Sequence, residues 1–221
     1  MTTETEESVS EPSFRQKNSS SMRIWHWGTF IAISGSLITV LFGKTLLNAK
    51  NNIELVKENL KESNITVTPE QANSLAHEFN DLVWHWHTYI GYVLASLLAF
   101  RILFEFFQPK RQKTIPMIKN AWKYLKMPAI DKRNVKHYLF VRYTYLLFYF
   151  ALIVQACTGL FMAYSDDVHN LKELRNTASE IHSVFMWVII SYIVIHISGV
   201  ILAELGKRSK GIVSDMINGG E

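Results

Sequence analysis

The stretch Ile181 to Leu205, IHSVFMWVIISYIVIHISGVILAEL, is a long apolar run that carries two histidines, His182 and His196. On an α-helix, their spacing of fourteen residues returns the chain to within roughly 40° of its starting direction and advances it by about 21 Å. Both imidazoles are therefore expected on one helix face, near opposite sides of a bilayer whose hydrocarbon core is about 30 Å thick. Ionisable side chains are rare and costly inside a membrane span, so this pair predicts a functional site.

The rest of the chain places this run among three others of the same kind. The 221 residues are 48% hydrophobic and 19% charged, which fits a small polytopic membrane protein with polar loops. Each apolar run is long enough to cross a bilayer as an α-helix, and the predicted spans are residues 24–47, 84–107, 138–164 and 181–205. We therefore expect an all-α fold, a transmembrane four-helix bundle over residues 23–206, between a disordered polar tail at 1–22 and a cytoplasmic tail at 207–221.

Basic residues lie beside the predicted spans and indicate how the chain crosses the membrane. The segment joining the second and third spans, residues 108–136, holds nine Lys or Arg against one acid, Asp131. Segments 48–83 and 165–180 are instead rich in Asp and Glu. Because short cytoplasmic loops carry an excess of Lys and Arg, we expect residues 108–136 and both termini on the cytoplasmic side. This arrangement accounts for the net charge of +4, and we expect no nucleic-acid partner.

Two segments outside the spans carry helix signals of their own. The sequence TPEQ at 68–71 has the pattern of a capping box with proline at the first helical position, and it predicts a short outer helix leading into the second span. Between Pro116 and Pro128, apolar residues oppose lysines at helical spacing in MIKNAWKYLKM. This pattern predicts an amphipathic helix at the inner membrane interface.

Common catalytic and cysteine-based patterns are missing from the sequence, and no catalytic residue is predicted. There is no phosphate-binding glycine loop, no Ser/His/Asp triad and no paired-carboxylate arrangement. The single cysteine, Cys157, lies in the third apolar run. It excludes an intramolecular disulfide, a Cys-ligated iron–sulfur cluster and covalent CxxCH haem attachment. The chemistry is therefore expected from the histidines.

Depth in the membrane sorts those histidines into two pairs. His26 begins the first span on the inner side, while His85 and His87 begin the second span on the outer side. Given the expected orientation, His87 lies level with His182, and His26 lies on the same side as His196. We call His87 and His182 the outer pair, and His26 and His196 the inner pair. Two imidazoles from facing helices can complete a six-coordinate haem iron, whereas a zinc site normally takes more protein ligands around one point.

His87 is chosen over His85 for the outer pair. Side chains two residues apart on a helix point about 200° away from each other, so only one of the two faces the bundle. His87 precedes Gly91 by four residues, which places a small residue on the same helix face and leaves room for a flat cofactor. Whether His85 has a role stays open.

These residues resemble the prokaryotic cytochrome b561 and nickel-iron hydrogenase cytochrome b group, and the likeness covers nearly all of residues 23–219. The matching features are Arg23-Ile-Trp-His26-Trp27, His87-x3-Gly91 followed by Arg101, Thr158-Gly159, and the spacing of His182 and His196. The resemblance implies two b haems, with the inner pair and the outer pair as the ligands of one haem each. Arg101 lies near the inner end of the second span, where its guanidinium is expected to pair with the propionates of the inner haem, and Arg23 and Arg142 are placed to do likewise. The alternative for all three is a basic residue on the cytoplasmic side whose side chain reaches the lipid headgroups.

The resulting hypothesis is a dihaem b-type cytochrome of the bacterial inner membrane. It would carry electrons between a periplasmic redox partner, such as a hydrogenase-type complex, and the quinone pool, with two non-covalent bis-histidine haems and with lipid and quinone as small partners. A stand-alone quinone oxidoreductase of the b561 type, isolated as a homodimer, is an alternative. A haem-free histidine-based transporter or proton relay is a third hypothesis, disfavoured because Glu105 and Glu204, near the inner ends, are the only acids within the spans.

Overall fold

The structure is a computed structural model that describes residues 19–107, 113–127, 132–165, 171–206 and 211–219. Regular structure in these ranges is helical throughout. The helices are α1 (Ser20–Lys44), α2 (Ala49–Glu62), α3 (Pro69–Phe107), α4 (Thr114–Leu125), α5 (Lys132–Tyr164), α6 (Lys172–Leu205) and α7 (Ile212–Ile217).

Four of these helices, α1, α3, α5 and α6, are long and apolar enough to cross a membrane. They confirm the predicted fold class, because an all-α chain with four such helices is compatible with a transmembrane helical bundle. Large apolar side chains are widely exposed on them, for example Phe107 at 85% and Leu202 at 72%. Apolar exposure on this scale is a signature of a membrane-embedded or interaction surface, and it fits helices whose outer faces contact lipid.

Three spans begin earlier than the apolar pattern predicted, by six residues or more. Helix α3 begins at Pro69 rather than near residue 84, α5 at Lys132 rather than 138, and α6 at Lys172 rather than 181. Hydrophobicity marks the part of a helix that is apolar, whereas the hydrogen-bonded helix continues into polar sequence. The capping box at the start of α3 is confirmed, since the Thr68 amide donates to Gln71 Oε1 at 2.9 Å and the Gln71 amide donates to Thr68 Oγ1 at 3.3 Å. The helix that this capping box begins is continuous with the second span, so the predicted short outer helix is the first part of α3.

The tails and outer segment differ in detail from expectation. Residues 1–18 of the predicted polar tail lie outside the described residues, and 20–22 already belong to α1. Helix α2, whose residues 49–62 are largely charged and polar, was not predicted. In the predicted C-terminal tail, the backbone amides at the start of α7 donate to the carboxylate of Glu204, with Gly211 N at 3.0 Å and Ile212 N at 3.1 Å.

The described chain divides into two compact units. Unit 2 comprises residues 24–100 and 153–186. Within it, α1 runs antiparallel to α3, since Trp25 Nε1 at the start of α1 donates to the carbonyl of Leu97 near the end of α3 at 2.9 Å. At the other end of α1, Asn80 Nδ2 donates to the carbonyls of Gly43 and Leu47 at 3.0 and 2.9 Å. These bonds satisfy carbonyls that a helix C-terminus otherwise leaves without a partner.

Unit 1 comprises residues up to 23, 101–152 and 187–221. Its buried apolar cluster joins Ile118 and Ala121 of α4 to Val135 and Leu139 of α5. The apolar face predicted for the segment between Pro116 and Pro128 therefore packs against protein. The helix itself begins at Thr114, slightly before the first proline.

Candidate functional site

His87 of α3 and His182 of α6 lie side by side within unit 2. Their ring centroids are 6.3 Å apart and their planes are inclined by 75°. A metal–imidazole bond of about 2.0 Å, with about 1.1 Å from that nitrogen to the ring centre, puts two rings on opposite sides of one ion about 6 Å apart. Both residues are half-buried. The separation of the outer pair is thus compatible with two imidazoles that bind one metal ion.

A hydroxyl of α1 indicates which ring nitrogen of His87 carries the proton. The Thr39 Oγ1 atom lies 2.9 Å from His87 Nδ1 and also 2.7 Å from the carbonyl oxygen of Ser36, to which it donates its proton. A hydroxyl has one proton, so Thr39 accepts the Nδ1–H of the imidazole. The neutral tautomer that results carries its lone pair on Nε2, which is the nitrogen left to bind a metal.

The same arrangement recurs at His182, with a hydroxyl from α5. Thr158 Oγ1 lies 2.9 Å from His182 Nδ1 and donates to the carbonyl oxygen of Val154 at 2.7 Å. Thr158 therefore also accepts an Nδ1–H and leaves Nε2 as the metal-binding nitrogen. In a metal site, a ligand histidine commonly donates its other ring N–H to an oxygen in this way.

Gly159 adjoins the outer pair, whereas Gly91 has no near neighbour. A Cβ atom added at Gly159 would lie 3.3 Å from His182 Cε1 and 3.8 Å from His182 Nδ1, so the imidazole occupies the space that a side chain would fill. A Cβ added at Gly91 would meet nothing within 4 Å. The room for a flat group that the sequence analysis expected beside Gly91 stays a prediction.

His85 does not join His87 at this site. It is exposed, its Nδ1 lies 3.2 Å from the carbonyl oxygen of Asp81 in its own helix, and its ring is tilted against Tyr89 at 6.4 Å. The divergence follows from the turn of about 200° between residues two apart on a helix.

The inner pair is divided between the two units. His26 of α1 belongs to unit 2, where its ring meets the edge of Trp27 at 5.4 Å. His196 of α6 belongs to unit 1, where it stacks on Tyr192 at 5.7 Å, and Tyr192 in turn stacks on Phe148 at 4.4 Å. The pairing of His26 with His196 stays a prediction.

Arg101 is buried in unit 1 at 7% exposure, within a polar cluster. Its Nη1 donates to Glu105 Oε2 at 2.9 Å, and its Nε donates to the Tyr149 hydroxyl at 3.2 Å. Glu105 Oε1 also accepts the backbone amide of Thr114 at 2.8 Å, which ties the end of α3 to the start of α4. A guanidinium carries several N–H donors and can serve more than one carboxylate, so a propionate contact of Arg101 stays a prediction.

The other two predicted propionate partners have separate surroundings. Arg142 lies over the ring of Tyr138 at 5.0 Å, and Arg23 donates to Ser20 Oγ at 3.1 Å. These contacts do not decide whether either binds a propionate, so both assignments also stay predictions.

Sequence reasoning missed the threonines. Thr158 was noted as part of a motif but was given no role, and Thr39 was not singled out. The available signal was a hydroxyl in an apolar run, which usually bonds to a carbonyl of its own helix. That local bond is present at both positions. Its consequence for an imidazole on another helix depends on tertiary packing.

The donor set favours a planar macrocycle over a bare metal ion. No group of three or more His, Cys, Asp or Glu side chains capable of holding a metal ion occurs in the described ranges. A pair of neutral imidazoles is by contrast the complete protein ligand set of a haem whose ring supplies the remaining nitrogens. The residues of the outer pair therefore fit a haem in donor chemistry, separation and tautomer.

Comparison with known proteins points the same way. A family model described as prokaryotic cytochrome b561 matches residues 18–219. Neither the curated proteins nor the solved structures gave a match. The matched range takes in all four long helices.

Proposed function

The chain belongs to the prokaryotic cytochrome b561 family, and we propose that it moves electrons across a bacterial inner membrane through two haem b groups. The family makes it a multi-pass membrane protein that binds haem b and takes part in membrane electron transfer. We propose in addition that there are two haems with histidine ligands, that the membrane is the inner membrane, and that the partners are those described below.

In this proposal His87 and His182 bind one haem, and His26 and His196 bind the other. The observation that carries it is the outer pair, whose rings are 6.3 Å apart with each Nδ1 atom 2.9 Å from a threonine hydroxyl. The inner pair rests on the sequence alone, through the fourteen-residue spacing on α6 and the position of His26 at the start of α1.

The residues of the outer site bind and orient rather than make or break bonds. Bound haem b supplies one-electron oxidation and reduction. His87 and His182 would hold the haem iron, which would then carry electrons rather than bind dioxygen or a substrate. Thr39 and Thr158 lie 2.9 Å from the Nδ1 atoms and would accept their protons, which would leave each Nε2 for the iron.

Two haems at opposite depths would let electrons cross most of the bilayer. The histidines of α6 are separated by about 21 Å along the helix. Acid-rich segments 48–83 and 165–180 are proposed to face the periplasm, where a redox protein or a hydrogenase-type complex would dock. Quinone, which dissolves in the bilayer, is the proposed partner within the membrane. Copurification of such a complex supports this role, whereas isolation as a haem-loaded homodimer supports a stand-alone quinone oxidoreductase.

The direct test is a reduced-minus-oxidised absorption spectrum of the purified protein with a haem-to-protein ratio. We expect a b-type spectrum and about two haems per chain. A colourless protein under conditions that load other b-type cytochromes would overturn the proposal, and a ratio near one would remove the inner haem from it.

Gly159→Ala is expected to perturb one haem without unfolding the protein. Its new Cβ would lie 3.3 Å from His182 Cε1, a distance at which the imidazole must shift by a few tenths of an ångström. Alanine is the better helix former by about 1 kcal/mol, so a loss of fold is not expected. The measurement is the position of the α-band and the midpoint potential of each haem.

Gly35→Ala is the matched control, because its Cβ would meet the terminal Cδ1 of Ile90 at 3.4 Å instead of an imidazole. It should leave both potentials at their wild-type values. Equal effects of the two substitutions would show that crowding of the helices, rather than displacement of His182, is responsible.

A further inference from the structure

We propose that Thr39 and Thr158 are positioning residues of the outer haem, which set its reduction potential and hold the planes of its axial imidazoles. The inference rests on the proposed function, since it concerns the haem assigned to His87 and His182. Neither hydroxyl would touch the iron, and each acts through the imidazole that it contacts.

The first step is the direction of the two hydrogen bonds. Thr39 and Thr158 each donate their single hydroxyl proton to a backbone carbonyl, at 2.7 Å in both cases. Each hydroxyl is then left with lone pairs for the imidazole Nδ1 at 2.9 Å. The backbone carbonyl thus makes each threonine an acceptor toward the imidazole, and Nδ1 is then the nitrogen that carries the proton. At His87 the Ser36 hydroxyl also lies near Nδ1, at the longer distance of 3.4 Å.

The second step is that each hydroxyl comes from a helix other than the one that carries its histidine. Thr39 of α1 holds His87 of α3, and Thr158 of α5 holds His182 of α6. All four long helices therefore contribute a side chain to this site, two of them a histidine and two of them a threonine. An imidazole that turned about its Cβ–Cγ bond would break its hydrogen bond to a neighbouring helix. The 75° inclination of the two rings is held from both sides in this way.

The third step is the effect on the iron. An oxygen that accepts the Nδ1–H of a ligand histidine raises the basicity of that ligand. A more basic ligand favours the more highly charged, oxidised iron, and axial ligation is one of the means by which a protein sets a haem potential. The two threonines should therefore lower the potential of the outer haem.

The experiment uses the full chain with haem bound, in the variants Thr39→Val and Thr158→Val, which are close to isosteric with the native residue but lack the hydroxyl. Redox titration should show the outer haem more easily reduced. At the wild-type midpoint potential its ferrous-to-ferric ratio should rise by up to about tenfold, which corresponds to a midpoint raised by about 59 mV for a one-electron couple. The inner haem should not shift.

Electron paramagnetic resonance of the oxidised protein gives a second readout. Steeply inclined axial imidazoles leave two iron d orbitals nearly equal in energy and give a strongly anisotropic low-spin signal. The wild type should show such a signal for the outer haem, and the valine variants should shift or broaden it as the rings turn.

Matched controls separate the hydroxyl–imidazole bond from general effects of the substitution. Thr88 adjoins His87 in sequence and Thr144 lies on the same helix as Thr158, and their hydroxyls bond to the carbonyls of Trp84 and Val141. Thr88→Val and Thr144→Val should leave potentials and spectra unchanged. Thr39→Ser and Thr158→Ser keep a hydroxyl and should restore wild-type values.

The outcomes separate this inference from the proposed function. If the wild type holds both haems and the valine variants keep the wild-type potential and resonance spectrum, the inference is overturned and the proposed function stays intact. If a valine variant loses the outer haem altogether, retention by the serine variant supports the inference, and loss in the serine variant as well overturns it. Wild-type protein without haem overturns the proposed function itself.

Discussion

Replacing His182 with alanine is expected to remove one haem and leave the other. The purified variant should hold about one haem b per chain, against the two proposed for the wild type. The physical reason is that His182 and His87, with ring centroids 6.3 Å apart, are the proposed ligands of one haem. A haem held by His87 alone would lose half of its axial ligation and the wall that His182 provides. The inner pair uses other side chains and should still bind its haem.

The measurement is the pyridine haemochrome content relative to protein, with circular dichroism as a check that the helices remain. His87→Ala should give the same loss. His85→Ala is the matched control, because His85 is two residues away on the same helix but exposed, with its Nδ1 against the Asp81 carbonyl. Loss of haem in His85→Ala but not in His87→Ala would reverse the assignment between the two neighbours. Two retained haems in His182→Ala would remove His182 from the ligand set.

The sequence predicted the fold class because membrane spans leave a strong one-dimensional signal. Runs of apolar residues long enough to cross a bilayer occur where α1, α3, α5 and α6 were found. The capping box at 68–71 was equally local, since its donors and acceptors lie within four residues. The length of α3 was not predictable in the same way. Its polar first half carries no hydropathy signal, and its continuity with the span depends on the absence of a helix breaker.

In the candidate site, too, the features that depend on local spacing were predicted and those that depend on packing were not. Helical spacing distinguished His87 from His85, and the structure places His87, not His85, beside His182. That two imidazoles on different helices approach closely was expected from their depth. The contacts of the Thr39 and Thr158 hydroxyls with the histidines could not be predicted, because the rotamer of a threonine and the helix that it faces depend on tertiary packing. The ligation by all four histidines stays a prediction until the haem content is measured.

Helix α6 links the two proposed sites through residues fourteen positions apart. His182 has its contacts in unit 2, with His87 and Thr158, whereas His196 has its stacking partner Tyr192 in unit 1. Because the two histidines lie fourteen residues, or about 21 Å, apart along one helix, we expect each to bind a different iron. The helix then contributes one ligand to each haem.

Glu105→Ala is expected to destabilise the protein by about 3 kcal/mol, because it leaves a buried guanidinium without its carboxylate. The Arg101 side chain is 9% exposed and that of Glu105 is 30% exposed, with 2.9 Å between Nη1 and Oε2. Removing Glu105 also removes the acceptor of the Thr114 amide, which joins the end of α3 to the start of α4. Partial exposure of Glu105 keeps the expected loss near the lower end for a broken buried pair. The measurement is denaturant unfolding in detergent micelles, followed by circular dichroism.

A second ion pair on this chain provides the control. Glu54 and Lys57 lie 3.5 Å apart with side chains 87% and 37% exposed, so Glu54→Ala should cost less than about 0.5 kcal/mol. The double variant Arg101→Leu with Glu105→Ala should lose less stability than the two single losses combined, because no unpaired buried charge remains. If Glu105→Ala costs no more than Glu54→Ala, or if the losses simply add, the Arg101–Glu105 pair does not stabilise unit 1.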